Sequence, residues 1–96
     1  MLQGYVLFNM KLLKFTSQTC APCKEPTKVL YDLLPVDFNH IELIEIDVTV
    51  DKEAARDWNL KGVPTLILLD EMGEEVSKMV GYRGVKPLSQ FLRGEL

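Results

Sequence analysis

Two cysteines three positions apart, Cys20 and Cys23, lie where a β-prone run ends and an amphipathic helix is predicted to begin. The run KLLKFTS (residues 11–17) precedes them. From Pro22 to Leu34 the apolar residues recur at helical spacing, and Pro35 is expected to end that helix. The apolar positions are Val29, Leu30, Leu33 and Leu34. A C-x-x-C pair between a strand and a helix restricts the chain to a few folds and favours redox chemistry.

Further strands and helices alternate after this first unit. Residues 5–8 are a short β-prone run, and residues 40–47 (HIELIEID) predict a strand that is apolar on both faces. Such a strand is typical of a parallel sheet covered by helices. Residues 50–60 predict a second helix with Asp51 as its N-cap. Its apolar side is formed by Ala54, Ala55 and Trp58.

The C-terminal third predicts a hairpin followed by a helix. Residues 65–70 and 75–82 are β-prone, and Gly73 between them suits a turn that needs positive φ. Residues 85–96 predict an amphipathic helix with Leu88, Phe91 and Leu92 on its apolar side. We therefore expect an α/β domain spanning residues 1–96, with a mixed sheet of about four to five strands flanked by helices.

Composition excludes several classes of function. The net charge is −3 and the 11 Lys and Arg residues are scattered, so no basic patch for nucleic acid or for an anionic membrane is predicted. The apolar start has no basic residue before Lys11, and it is too short to span a bilayer. Two cysteines are too few for a secreted disulfide framework. We expect a cytoplasmic monomer.

The position of the cysteine pair predicts its reactivity. Pro22 suits the first turn of a helix, where a missing N–H costs no hydrogen bond. Cys20 then lies beside the unpaired N–H groups at the positive end of the helix dipole, which favours a thiolate. Cys23 follows one turn later, more buried and within disulfide reach, so Cys20 would attack a disulfide and Cys23 would resolve the mixed disulfide.

Two other interpretations of the pair are less favoured. A structural zinc site needs four ligands, and His40 is the one further candidate in the chain, so no metal is expected. An inert pair of core cysteines would not need a proline between them at a helix start.

The chain resembles the thioredoxin family. The resemblance rests on TCAPCK (19–24), GVPT (62–65), the MGEEV hairpin (72–76) and Gly81, and it runs from about Lys11 to the C-terminus. It implies a thioredoxin fold with a shortened N-terminus and a thiol–disulfide oxidoreductase that reduces protein disulfides. It also implies no bound cofactor, because an NADPH-dependent thioredoxin reductase would supply the electrons.

The same resemblance implies a substrate groove beside the cysteines. Pro64 would be a cis-proline packed against the disulfide, and the backbone of Val63 would pair with an extended substrate segment. The residues implied to line the groove with Val63 are Thr19, Ala21, Pro22, Gly62 and Gly81. For Gly62 and Gly81, turn geometry alone is an equally good explanation.

Lys14 departs from the family pattern. Thioredoxins commonly have a buried Asp six residues before the first cysteine, and a Lys or Glu at the position of Glu45 in this chain. A buried charge needs a partner, so our hypothesis is a charge-swapped pair, Lys14 with Glu45, beneath Cys23. Glu45 would accept the proton of Cys23. Alternatively, Lys14 extends to solvent and Glu45 lies on an exposed edge.

Two alternative functions stay open at this point. One is a glutaredoxin-like oxidoreductase recharged by glutathione, although the Ala-Pro pair is not the order usual in that class. The other is a non-catalytic thioredoxin-fold module that binds a partner protein in the same groove. Both cysteines are present, which favours chemistry.

Overall fold

The computed structural model describes residues 9–95, which form four strands, three α-helices and a 3-10 turn. The strands are β1 (Met10–Thr16), β2 (Ile41–Asp47), β3 (Thr65–Leu69) and β4 (Glu75–Val80). The helices are α1 (Lys24–Asp37), α2 (Ala54–Asp57) and α3 (Val85–Leu92), and the 3-10 turn (Ala21–Cys23) leads directly into α1. This order agrees with the predicted alternation. The predicted strand at 5–8 lies outside the described residues.

The strands form one mixed sheet in the order β2-β1-β3-β4. β1 pairs with β2 in parallel, because α1 connects them as a crossover, whereas β1–β3 and β3–β4 are antiparallel. The carboxyl ends of β1 and β2 therefore lie at the same edge of the sheet as the start of β3 and the end of β4. The predicted fold class is confirmed.

Two apolar clusters cover the two faces of the sheet. On one face, α1 and α3 pack on the sheet through buried Leu30, Leu34, Leu88, Phe91 and Leu92, against Leu12, Leu66 and Leu68. On the other face, Leu13, Phe15 and Ile67 pack with Ala54 of α2 and with Trp58. The Phe15 and Trp58 ring centroids are 5.8 Å apart, so Trp58 packs against the core as predicted.

The prediction that Pro35 ends α1 is wrong, because the helix continues through Pro35 to Asp37. Proline lacks an N–H and so removes one hydrogen bond of the helix, but its φ angle is itself helical. The N–H of Phe38 still bonds the Leu34 carbonyl at 3.1 Å and closes the last turn. A proline this close to the C-terminus costs one bond and does not stop the helix.

The second helix is shorter than predicted, and Asp51 is not its N-cap. α2 spans only Ala54–Asp57, with Glu53 at the N-cap position. Residues 48–53 form turns instead, because the backbone N–H groups of Val50 and Asp51 bond the Asp47 carbonyl at 3.1 and 2.8 Å. These bonds close a turn on Asp47, the last residue of β2, and the helix begins only after that turn, at Ala54.

The hairpin between β3 and β4 forms as predicted. Gly73 has φ +80°, a conformation that favours glycine. The Asp70 carboxylate accepts the N–H groups of Met72 and Glu74 at 2.8 and 2.9 Å, which closes the turn.

Candidate active site

Cys20 and Cys23 are joined by a disulfide, with their Cα atoms 5.4 Å apart. Cys20 is the extended N-cap of the 3-10 turn, and Pro22 lies in the first turn as predicted. Cys23 is 1% exposed, whereas Cys20 is partly exposed. A substrate can therefore reach the sulfur of Cys20 more easily than that of Cys23.

The loop before β3 lies against this disulfide. The Val63–Pro64 peptide bond is cis, and the Val63 carbonyl oxygen is 3.7 Å from the sulfur of Cys20. The Pro64 carbonyl accepts the N–H of Gly81 at 2.8 Å. The structure thus brings Cys20, Val63, Pro64 and Gly81 together at one edge of the sheet.

The other residues of the predicted groove lie in the same loops. Thr19, Ala21, Pro22 and Gly62 are exposed, and Val63 and Gly81 are partly buried. Gly81 has φ +82°, so turn geometry by itself accounts for glycine there. At Gly62 an added Cβ would meet no atom within 4 Å, so the residue borders open space beside Val63. The substrate role of these residues stays a prediction.

Lys14 and Glu45 are neighbours in the parallel register of β1 and β2. Lys14 Nζ lies 3.5 Å from Glu45 Oε2; the lysine side chain is 1% exposed and the glutamate side chain 35%. Lys14 therefore does not extend to solvent. It shares the face of Leu12, because side chains alternate along a strand, and α1, whose N-cap is Cys23, covers that face. Whether Glu45 takes a proton from Cys23 stays a prediction.

Sequence reasoning missed Tyr31. Its hydroxyl, on α1, donates a hydrogen bond to Glu45 Oε1 at 3.0 Å. That hydrogen bond, together with the negative charge of Glu45, raises the pKa of the Tyr31 hydroxyl above its usual 10.0. An aromatic residue among the polar positions of a predicted helix was the only sequence signal for this contact.

Asp47 supports the active-site loop from the end of β2. Its Oδ1 accepts the backbone N–H of Thr49 at 2.8 Å and also the Thr49 hydroxyl. The bonds from Thr49, and a weaker one from Gln18, lower the pKa of Asp47 below 3.8. The next residue, Val48, bonds the Thr16 carbonyl at 2.9 Å, so this turn is tied to the loop that carries Cys20.

An acid titration tests the role of Asp47. A carboxyl whose pKa is depressed by folding stabilises the folded state above its unfolded pKa, and that contribution is lost as the pH falls through the folded pKa. We expect Asp47→Ala to lower the urea midpoint of unfolding at pH 7, and the difference from the parent chain to shrink below pH 3.8. Asp51→Ala in the neighbouring turn is the control. A difference that persists unchanged at low pH would contradict this role.

Comparison with known proteins decides which family this site belongs to. The family model described as Thioredoxin matches residues 6–94. The chain belongs to the thioredoxin family. The SPbeta prophage-derived thioredoxin-like protein YosR of Bacillus subtilis is 35% identical over 77% of this chain and 85% of its own. A bifunctional thioredoxin reductase/thioredoxin of Mycobacterium leprae is 32% identical over 76% of this chain and 16% of its own.

A solved structure agrees with the assignment. A mutant thioredoxin from Halobacterium salinarum superimposes with a TM-score of 0.79 at 26% identity, over 92% of this chain and 75% of that one. Thioredoxins are thiol–disulfide oxidoreductases, and this chain has their paired cysteines bonded to each other. It is therefore an oxidoreductase with a redox-active disulfide.

Neither a cluster of metal ligands nor a membrane-spanning helix is found among residues 9–95. No three or more His, Cys, Asp or Glu side chains of that range lie together in a way that could hold a metal ion. No α-helix of the same range has the length and apolar character needed to cross a membrane.

Proposed function

We propose that this thioredoxin reduces disulfide bonds in other proteins, with Cys20 as the nucleophile and Cys23 as the resolving cysteine. The observation that carries the proposal is the unequal exposure of the two cysteines beside the Val63–Pro64 loop. In the reduced protein, Cys20 lies at the start of the segment that runs through the 3-10 turn into α1, where a thiolate is stabilised.

The reaction takes place in two exchanges. The Cys20 thiolate attacks one sulfur of the substrate disulfide, a bond forms between them, and the other substrate sulfur leaves as a thiolate that takes up a proton. Cys23 then loses its proton and attacks Cys20, the mixed disulfide breaks, and the second substrate sulfur leaves. Two electrons pass to the substrate, and the Cys20–Cys23 disulfide observed here is the product state.

Glu45 is the proposed acceptor of the Cys23 proton, and Lys14 is its partner. The ion pair and Cys23 belong to the same side of the molecule, since α1 covers the sheet face that carries Lys14. A base acts best when it is held in place, and the pair holds the Glu45 carboxylate on that face.

The substrate segment is proposed to lie along Val63 in an extended conformation. Within residues 9–95, the N–H and C=O of Val63 make no hydrogen bond with another backbone group, so both are available to a peptide. Open space at Gly62 and the exposed Thr19, Ala21 and Pro22 leave room for the chain on either side.

The oxidised protein needs an external reductant. We propose an NADPH-dependent thioredoxin reductase, because one relative is itself a bifunctional thioredoxin reductase/thioredoxin. In this scheme the chain is a cytoplasmic, monomeric electron carrier that works without a bound cofactor.

Reduction of insulin disulfides tests the proposed function. With NADPH and a thioredoxin reductase as the electron source, we expect catalysed precipitation of insulin. Activity with glutathione and glutathione reductase alone would assign the glutaredoxin-like function instead. If neither system, nor dithiothreitol as a chemical reductant, supports catalysis, the reductase function is wrong and a partner-binding module is the better explanation.

A further inference from the structure

Tyr31 joins the helix of the resolving cysteine to the edge strand of the sheet. Cys23, Thr27 and Tyr31 succeed one another at intervals of four along this segment, so they lie along one side of it. The Thr27 hydroxyl bonds the Cys23 carbonyl at 3.2 Å. Two turns after Cys23, the Tyr31 hydroxyl reaches across to Glu45 of β2 at 3.0 Å.

Glu45 has two side-chain partners, and the contact with the 60% exposed Tyr31 is the shorter of the two. Charge-assisted N–H···O bonds are usually about 2.7–2.9 Å long, whereas Lys14 Nζ is 3.5 Å from Glu45 Oε2. The 3.0 Å bond from the Tyr31 hydroxyl to Oε1 is the shorter of the two. The two contacts hold different oxygens of the carboxylate, Oε1 by the Tyr31 hydroxyl and Oε2 by Lys14, so together they fix the orientation of a side chain that is 35% exposed.

The position of Glu45 matters because of Lys14. The lysine side chain is 1% exposed, and within residues 9–95 its ammonium makes one hydrogen bond, to Glu45. If the carboxylate turned to solvent, a buried positive charge would lose its counter-charge on the face covered by α1. Holding Glu45 in place therefore also sets the charge of the surroundings in which Cys23 loses its proton.

Ionisable groups are placed by register or sequence on β1, β2 and α1, and the one that contacts the Tyr31 hydroxyl is Glu45. Glu45 contacts it from β2, and Lys14 lies behind Glu45 on β1. Asp47 is two residues along β2 from Glu45, and Lys28 is one turn before Tyr31 on α1. The hydrogen bond of the hydroxyl itself is to Glu45, which is why removal of that single oxygen is a selective test.

We propose that Tyr31 is a positioning residue, whose hydroxyl holds the Glu45 carboxylate against Lys14 for the proton transfer at Cys23. The inference rests on the proposed function, in which Glu45 accepts that proton. Tyr31 itself exchanges no proton with the substrate or with Cys23.

Tyr31→Phe tests the proposal, because it removes the hydroxyl and keeps the ring. The reactivity of Cys20 in the first exchange is measured by its rate of alkylation. The second exchange is measured by the release of a fluorescent peptide from its mixed disulfide with Cys20, and both measurements are made between pH 6 and 9. We expect the second exchange to slow by about threefold to tenfold, the effect of losing one hydrogen bond of ordinary net strength at an exposed position, with an altered pH profile. The first exchange should change by less than about twofold.

A double-variant cycle identifies the residue through which Tyr31 acts. In a Glu45→Gln background, Tyr31→Phe should produce no further slowing, because the carboxylate that it positions is gone. Equal slowing in both backgrounds, or an unchanged pH profile in the single variant, would overturn the proposal.

A titration tests the contact without reference to activity. The ionisation of the Tyr31 hydroxyl is followed by the ultraviolet difference between the parent chain and Tyr31→Phe. Its pKa should lie above 10.0 in the parent chain and move down towards 10.0 in Glu45→Gln. If that shift is seen but the second exchange is unaffected by either variant, the proton role of Glu45 fails and the Tyr31 proposal fails with it. Absence of insulin reduction by the parent chain would instead remove the proposed function.

Discussion

Replacement of Cys20 by serine is expected to lower the rate of insulin reduction by at least about a hundredfold, because a serine hydroxyl is a far weaker nucleophile than a thiolate. Cys20 is the partly exposed cysteine of the pair, and its sulfur lies beside the Val63 carbonyl. Cys23→Ser should also lose turnover, since the mixed disulfide formed at Cys20 would have no resolving thiol. The measurement is catalysed insulin precipitation with a thioredoxin reductase and NADPH.

A matched control separates chemistry from folding in this experiment. Val36→Ser alters a residue that is 76% exposed near the far end of α1, and it should leave turnover unchanged. Circular dichroism of each variant checks that the fold is kept. Turnover by a folded Cys20→Ser protein at the rate of the parent chain would contradict the assignment of the nucleophile.

Glu45→Gln is expected to destabilise the protein more than Lys14→Met does. Loss of the carboxylate leaves the ammonium of Lys14, 1% exposed, without its counter-charge, at a cost of about 1–3 kcal/mol. Loss of the ammonium leaves a 35% exposed carboxylate that keeps both water and the Tyr31 hydroxyl as partners, so less than about 1 kcal/mol should be lost. Urea unfolding at pH 7 measures both.

The same two strands provide the control. Lys11 and Glu42 are also register neighbours on β1 and β2, but Lys11 is exposed, so Glu42→Gln should change stability by no more than about 0.5 kcal/mol. The double variant Lys14→Met/Glu45→Gln should recover most of the loss seen with Glu45→Gln, because neither charge is then left unpaired. Equal losses in the two single variants would show that burial of Lys14 does not control the energetics of the pair.

The order of strands and helices was predictable because each pattern is local. Alternating or continuous apolar runs predicted β1 to β4, and Gly73 predicted the hairpin turn that the structure confirms. The apolar side of α3, with Leu88, Phe91 and Leu92, is buried as its spacing predicted. In these segments local preference and tertiary packing agree.

The ends of three helices were predicted wrongly, because a helix end depends on packing and on backbone hydrogen bonds that the apolar period does not specify. α3 ends at Leu92, whereas the predicted helix ran to residue 96. Pro35 was expected to stop α1, yet the cost of one missing bond near a helix end is outweighed by the packing of Leu30 and Leu34. The turns after Asp47 shorten α2, and they depend on hydrogen bonds that the helical period of residues 50–60 does not reveal.

The site was predictable to the extent that it resembles a known family, and less so where it is particular to this chain. The motifs at 19–24 and 62–65 identify the cysteine pair and Pro64 from the sequence alone. The neighbouring positions of Lys14 and Glu45 follow from a strand register that the sequence only suggests. Tyr31 was missed, because its bond to Glu45 depends on how α1 crosses the sheet.

The central claim is that Cys20 attacks the substrate disulfide and Cys23 does not. The most direct measurement incubates reduced Cys23→Ser and reduced Cys20→Ser separately with a peptide disulfide at pH 7 and follows the protein masses over time. The account predicts a stable adduct of one peptide half on the Cys23→Ser protein, and none on Cys20→Ser over the same period. Adduct formation at equal rates in the two variants would contradict it.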